Sequence, residues 1–148
     1  MNEDYLIQIK GTMETDDEQN DQVELMTRGS FTFKNGSYYI VYKETEATGY
    51  AGCTTTVKVA QDESQVTMMR FGDASSQLII EKGVRHLCHY DVGPAALTLG
   101  VAADEIHSQL TDEGGEVEFS YTLDSDREVF LSRNRVHIQV HKTQQPAE

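Results

Sequence analysis

Apolar side chains in this chain recur at every second position, the period of a strand with one buried face, and not at the 3.6-residue spacing of a core-facing helix. Tyr5, Ile7, Ile9 and Met13 share one parity, with Gln8, Lys10 and Thr12 on the other. Residues 14–22 carry no apolar side chain and read as a solvated loop, because a strand needs a face to bury. Alternation resumes with Val23, Leu25, Phe31 and Phe33 against Glu24, Arg28, Ser30 and Lys34. Gly29 falls on the apolar parity, a place for a bulge or a bend. Asn35-Gly36 tolerates positive φ at two successive positions and predicts a tight type I′ hairpin into Tyr38-Tyr39-Ile40-Val41-Tyr42.

The same pattern predicts further strands at about 52–60, 64–71, 77–81, 84–91, 95–107, 115–124 and 128–141. Turn signals separate nearly all of them, among them Asp62-Glu63, Lys82-Gly83, Gly93-Pro94 and Asp112-Glu113-Gly114-Gly115. Strands joined by tight turns are antiparallel neighbours, since a parallel crossover needs about a dozen residues or more. A meander of this kind leaves two unpaired edges unless it curls shut. The expected fold is therefore all-β, an antiparallel meander closed into a barrel of about eight to ten strands. A two-sheet sandwich is the alternative, but only residues 14–22 and 45–52 are long enough for its returning connections. At 148 residues the chain is expected to form a single domain, 1–148, with a frayed tail over 143–148.

Charge narrows the partners. Twelve Lys and Arg against 25 Asp and Glu give a net charge of −13, which argues against a nucleic-acid partner, because phosphate binding needs a cationic surplus. No apolar run approaches the ~18 residues of a bilayer-spanning helix, and the acidic start Met1-Asn2-Glu3-Asp4 is unlike a secretory signal, so no membrane association and a cytoplasmic location are expected. In that reducing compartment Cys53 and Cys88 are expected to be free buried thiols.

Several segments together resemble one family. They are Tyr39-Ile40-Val41-Tyr42-Lys43-Glu44, Val66-Thr67-Met68-Met69-Arg70-Phe71-Gly72, Tyr90-Asp91-Val92-Gly93 leading into Leu97-Thr98-Leu99-Gly100-Val101, Gly115-Glu116-Val117-Glu118-Phe119-Ser120-Tyr121-Thr122-Leu123, and Asn134-Arg135-Val136-His137-Ile138. In order and spacing they look like the YwiB-like family of bacterial calycin-type β-barrels, small proteins of unassigned function. The resemblance implies a lipocalin-like closed barrel and brings no catalytic residues. This chain lacks the Trp that many lipocalins place near the closed end.

Two charges stand out against the alternation. Glu44 ends the row of Tyr38, Ile40 and Tyr42, and Arg70 ends the row of Val66 and Met68. An isolated ion taken out of water costs several kcal/mol, so such charges are paired, solvated at a mouth, or used. The expected arrangement puts Glu44 and Arg70 on the inner wall or its rim, with Tyr42, Tyr90, Tyr121 and Asn134 nearby as hydrogen-bonding groups, and this set is the candidate ligand site. Two plainer readings compete: strand-end charges pointing into water, or a structural ion pair with no ligand.

No metal and no cofactor are expected. On a strand His86 and Cys88 point one way and His89 the other, while His137 and His141 share a face but lie roughly 13 Å apart. Nucleophile elbows, phosphate loops and dinucleotide fingerprints are missing. An acid–base enzyme using Glu44, Arg70 and a tyrosine thus has no motif behind it. Three function classes remain, in this order: a non-enzymatic barrel holding a small apolar or amphiphilic ligand, a structural or protein-interaction module whose barrel is filled by side chains, and last that motif-free enzyme.

Overall fold

A computed structural model describes residues 5–15, 20–45, 51–72, 75–92, 95–125 and 130–143, with side chains throughout except at 20, 89–92 and 95–97. The chain forms ten antiparallel strands: β1 (Tyr5–Glu14), β2 (Asn20–Lys34), β3 (Ser37–Lys43), β4 (Thr54–Ala60), β5 (Gln65–Phe71), β6 (Ser75–Glu81), β7 (Arg85–Val92), β8 (Ala95–Thr111), β9 (Gly114–Ser125) and β10 (Phe130–Lys142). Each pairs with its sequence neighbours, and β1 pairs with β10, so the meander closes into a barrel. The described residues contain no helix, and therefore none long and apolar enough to cross a membrane.

Local chemistry sets most of the turns. Asn35 and Gly36 have φ of 52° and 81°, and Lys34 pairs with Ser37, which is the two-residue hairpin that the dipeptide predicts. The acidic stretch departs from expectation. Residues 16–19 lie outside the described residues, but Glu14 pairs with Asn20, Met13 with Asp21 and Thr12 with Gln22, so both ends of the stretch are strand. Hydrogen bonding along the ladder continues past the last apolar residue, because β1 is flanked on both sides and needs no apolar face of its own there.

Two strands act as corners. β2 pairs with β1 over residues 20–29 and with β3 over 29–34, so Gly29 alone is paired on both sides. β8 pairs with β7 over 95–102 and with β9 from Leu99 to Thr111, with a bulge between Ala103 and Glu105. β2 and β8 thus hand over from one neighbour to the other along their length within the one closed wall. At Gly29 the register runs through without a shift. The glycine is there for close approach: an added Cβ would overlap the Val41 carbonyl oxygen and Ile7 Cδ1.

The β6–β7 seam is closed by side chains as well as backbone. Its ladder consists of Ser75–Asp91 and Ser76–Tyr90, with a bridge at Glu81–Val84. Between these, the Ile79 N–H donates to Cys88 Sγ at 3.4 Å and His86 Nε2 meets Glu81 Oε1 at 2.9 Å. On the outer face Arg85 reaches across β8 to Asp124, its Nε 3.1 Å from Oδ2, over Gly100, where a Cβ would collide with both partners.

Inside, alternate residues converge on a core that includes Ile7, Ile40, Val57, Val59, Val66, Ile80, Val101, Ile106, Val117, Phe119, Ile138 and Val140, all essentially inaccessible to solvent. At about 1.5–3 kcal/mol per fully buried aliphatic or aromatic side chain, this packing is the main favourable term. Polar interior groups sit at one end, where β3, β5 and β9 finish and β4, β6 and β10 begin: Tyr42, Glu44, Thr55, Tyr121, Ser132 and Asn134 are all buried there.

Gly29→Ala should cost about 1–3 kcal/mol by overpacking against Val41 and Ile7, read from the denaturant midpoint. A neutral result would refute the close approach at that corner.

Candidate functional site

The polar end is organised by one register row. Tyr42 pairs with Thr55, Thr55 with Arg70, and Arg70 with Ser76, so four consecutive strands contribute one residue each at the same level. The two-residue side-chain period then forces the inward choice: Thr55 follows the parity of Val57 and Val59, and Arg70 that of Val66 and Met68. Glu44 sits just beyond the end of β3, held by its own N–H donating to the Cys53 carbonyl at 2.9 Å. The Tyr38, Ile40, Tyr42 row therefore extends one step further along the wall, to Glu44.

At this level Glu44 is the acceptor at the centre. Its Oε2 takes a short hydrogen bond from Thr55 Oγ1 and lies 3.4 Å from Arg70 Nη2. The Glu44 side chain is 1% exposed and that of Arg70 15%, so the ion pair is buried on the acid side and opens slightly toward solvent on the guanidinium side. Two partners on one carboxylate oxygen offset part of the desolvation cost that a lone buried carboxylate would carry. Burial pushes the Tyr42 hydroxyl well above the ordinary tyrosine range, and the negative Glu44 adds to the rise; the Arg70 charge and a hydrogen bond with Thr55 oppose it. Tyr42 is thus a neutral phenol at every physiological pH.

Beside the ion pair is a cavity of about 70 Å³. Thr55, Arg70, Ser76 and Tyr121 form its polar side, and Met68, Met69 and Leu78 its apolar side. Tyr121 arrives from the opposite part of the wall, stacked on Phe119 with ring centroids 6.3 Å apart. The pocket offers hydrogen-bond donors and acceptors around a guanidinium whose charge Glu44 already offsets.

The sequence-predicted set is partly assembled. Tyr42, Glu44, Arg70 and Tyr121 come together. Asn134 is buried and opposite Tyr121 in register, and its amide donates to Ser132 Oγ at 3.0 Å. Tyr90 continues the register row as the partner of Ser76, and its side chain lies outside the described residues. Sequence reasoning missed Thr55 and Ser76. Thr55 stands inside Thr54-Thr55-Thr56, where identical neighbours hide the parity, and only the Val57 and Val59 that follow could have revealed it.

The candidate metal residues are engaged elsewhere. Cys88 accepts from Ile79, His86 meets Glu81, and His137 Nε2 lies 3.1 Å from Glu116 Oε2. The side chain of His89 lies outside the described residues. Among the described residues no three His, Cys, Asp or Glu converge to hold a metal ion. Glu81 and Glu116 are each held below the usual carboxylate range, first by the hydrogen bond from the neighbouring histidine.

Ten antiparallel strands closed on themselves, with a buried ion pair at one end, define an all-β barrel. Over residues 7–138 the chain matches the family described as a domain of unknown function (DUF1934), and it belongs to that family. It is 26% identical over 117 residues to the uncharacterized beta-barrel protein YwiB of Bacillus subtilis (strain 168), an alignment covering 79% of each chain. The crystal structure of the ywiB protein from Bacillus subtilis has the same fold, with a TM-score of 0.75 at 23% identity, over 91% of this chain and 89% of that one.

Removing one member of the ion pair strands the other. Glu44→Ala should cost about 3 kcal/mol, and the Glu44→Met/Arg70→Met double variant at least about 1 kcal/mol less than the sum of its single changes, measured by denaturant unfolding. Single costs within about 0.5 kcal/mol of wild type would mean the pair is a surface feature.

Proposed function

We propose that this protein is a non-enzymatic binding barrel of the cytoplasm, and that the pocket beside Arg70 takes the polar head of a small amphiphilic ligand. The observation that carries the reading is the cavity of about 70 Å³ between the Glu44–Arg70 pair and Tyr121. Its size narrows the ligand. Pockets that engulf a whole drug-sized apolar molecule run to roughly 300–1,000 Å³, whereas about 70 Å³ falls well short of that and suits a head group alone. Its charge narrows it further. Glu44 balances Arg70 in place and the chain as a whole carries −13, so a neutral head with a hydroxyl, carbonyl or amide is favoured over a carboxylate. Met68 and Leu78, paired in register on the inward row, supply the apolar contact for the first carbons of a tail. The two buried thiols of Cys53 and Cys88, not bonded to one another, fit a reducing compartment.

The filled apolar interior supports a second reading, a structural or interaction module with no ligand at all.

A thermal-shift series separates the two. Short-chain alcohols and amides at a hundredfold excess over their dissociation constant should raise Tm by roughly 5 °C or more, matched carboxylates should do less, and Ser76→Val, which narrows the pocket and leaves the ion pair intact, should abolish the rise. No shift across the neutral series would favour the interaction module.

A further inference from the structure

The β8 corner leaves one stretch of strand backbone without a ladder on one side. The β7–β8 pairing stops at Arg85–Ala102, and beyond it residues 103–111 pair only with β9 among the described residues. The far side of that stretch is covered by side chains instead. Glu63, in the β4–β5 turn, accepts the Ser108 N–H on its carboxylate, and Ser108 Oγ accepts the Leu110 N–H at 3.4 Å. Backbone groups alternate in direction along a strand, so Ile106, Ser108 and Leu110 all aim their N–H and C=O at this covered edge. Glu63 holds a φ of 64°, an uncommon backbone for a side chain of its kind. A groove of about 290 Å³, lined by His107, Gln109, Glu116, Glu118 and His137 together with Glu63 and Ser108, runs beside it over β8, β9 and β10.

We propose that Glu63 is the guard of a latent interface between two copies of this chain: while its carboxylate covers Ser108 the copies stay apart, and when it leaves, two β8 edges pair antiparallel about a two-fold axis at Ser108. The occupant follows from the strand's own sequence. With Ser108 opposite Ser108, the register sets Ile106 against Leu110 and His107 against Gln109, while Glu105 faces Thr111, so apolar meets apolar and no like charges oppose across residues 105–111. Residues 106, 108 and 110 would then form the hydrogen-bonded pairs, each exchanging two backbone bonds, which is the direction their N–H groups already point. Such a contact is isologous and closes at the dimer. A charged residue laid over an open edge is a general device against edge-to-edge pairing. This inference is independent of the ligand reading.

Glu63→Gly tests it, because glycine suits the positive φ and takes away the side chain that carries the carboxylate. Sedimentation equilibrium should show self-association at least tenfold stronger than wild type, and adding Ser108→Pro, which deletes the central N–H, should return the protein to monomer. Unchanged self-association, a dimer that survives Ser108→Pro, or a wild type that already pairs through this edge would each overturn the proposal. If Glu63→Gly and Glu63→Ala both lose the β-sheet dichroism of the native protein, Glu63 is a structural stitch and not a guard, and the proposal fails.

Discussion

The pairing of the first strand with the last is the interaction on which the rest depends. Ten registered pairs, from Tyr5–Lys142 to Glu14–Arg133, join segments more than a hundred residues apart in sequence and turn an open meander into a ring. Without them β1 and β10 would both present free N–H and C=O rows to solvent, a template for association. With them, each strand has two neighbours and every second side chain must point into one shared interior. The loop-closure entropy of so distant a contact is recovered only when the whole ring forms, which places this fold among the slowly folding, high-contact-order topologies.

A closed interior treats polar side chains severely, and the two ends of the barrel meet that constraint differently. Most of the interior is filled with aliphatic and aromatic groups that need no partners. At the other end, Glu44, Thr55 and Tyr42 share hydrogen bonds, Arg70 supplies the opposite charge, and Ser132 takes up the amide of Asn134. This network is economical in a physical sense: one carboxylate oxygen serves two partners, and the phenol stays neutral. It also makes this end the place where a small polar group can enter without breaking a packed core, since the described cavity inside the wall lies there. The same closure constraint explains the side-chain work at β6–β7 and at Ser108, where a thiol and a carboxylate stand in for missing ladder partners.

Much of this was legible in the alternation of the chain. Each of the ten strands overlaps a segment that the period-2 pattern marks, but β8 runs on to Thr111, beyond the expected 95–107, past a bulge between Ala103 and Glu105 that breaks the alternation. Parity groups Arg70 with Met68 and Glu44 with Tyr42, but apolar groups on both faces of β3 leave open which face points in; the barrel puts both charges on the inner side. Other features depend on what lies across the barrel. The ends of β1 and β2 extend into the acidic run 14–22 because their neighbours hold them, and no property of those residues signals it. The role of Gly29 as a close-approach corner needs Ile7 and Val41, both distant in sequence or strand. Whether the interior is hollow or filled was equally hidden, since it depends on strand tilt and stagger and on which large side chains meet at the same level. Asn134 looked like a member of the Arg70 set by position, and its neighbour two residues back claims its amide.

The closure of the ring is open to direct measurement by native-state amide hydrogen exchange. If β1 seals against β10, the amides of that pairing, around Ile7, Ile9, Val136 and Ile138, exchange only through global unfolding, as slowly as those of β9 in the centre of the same sheet. Fast exchange in β1 and the facing edge of β10, with β3 to β9 still protected, would mean an open sheet and would contradict the account.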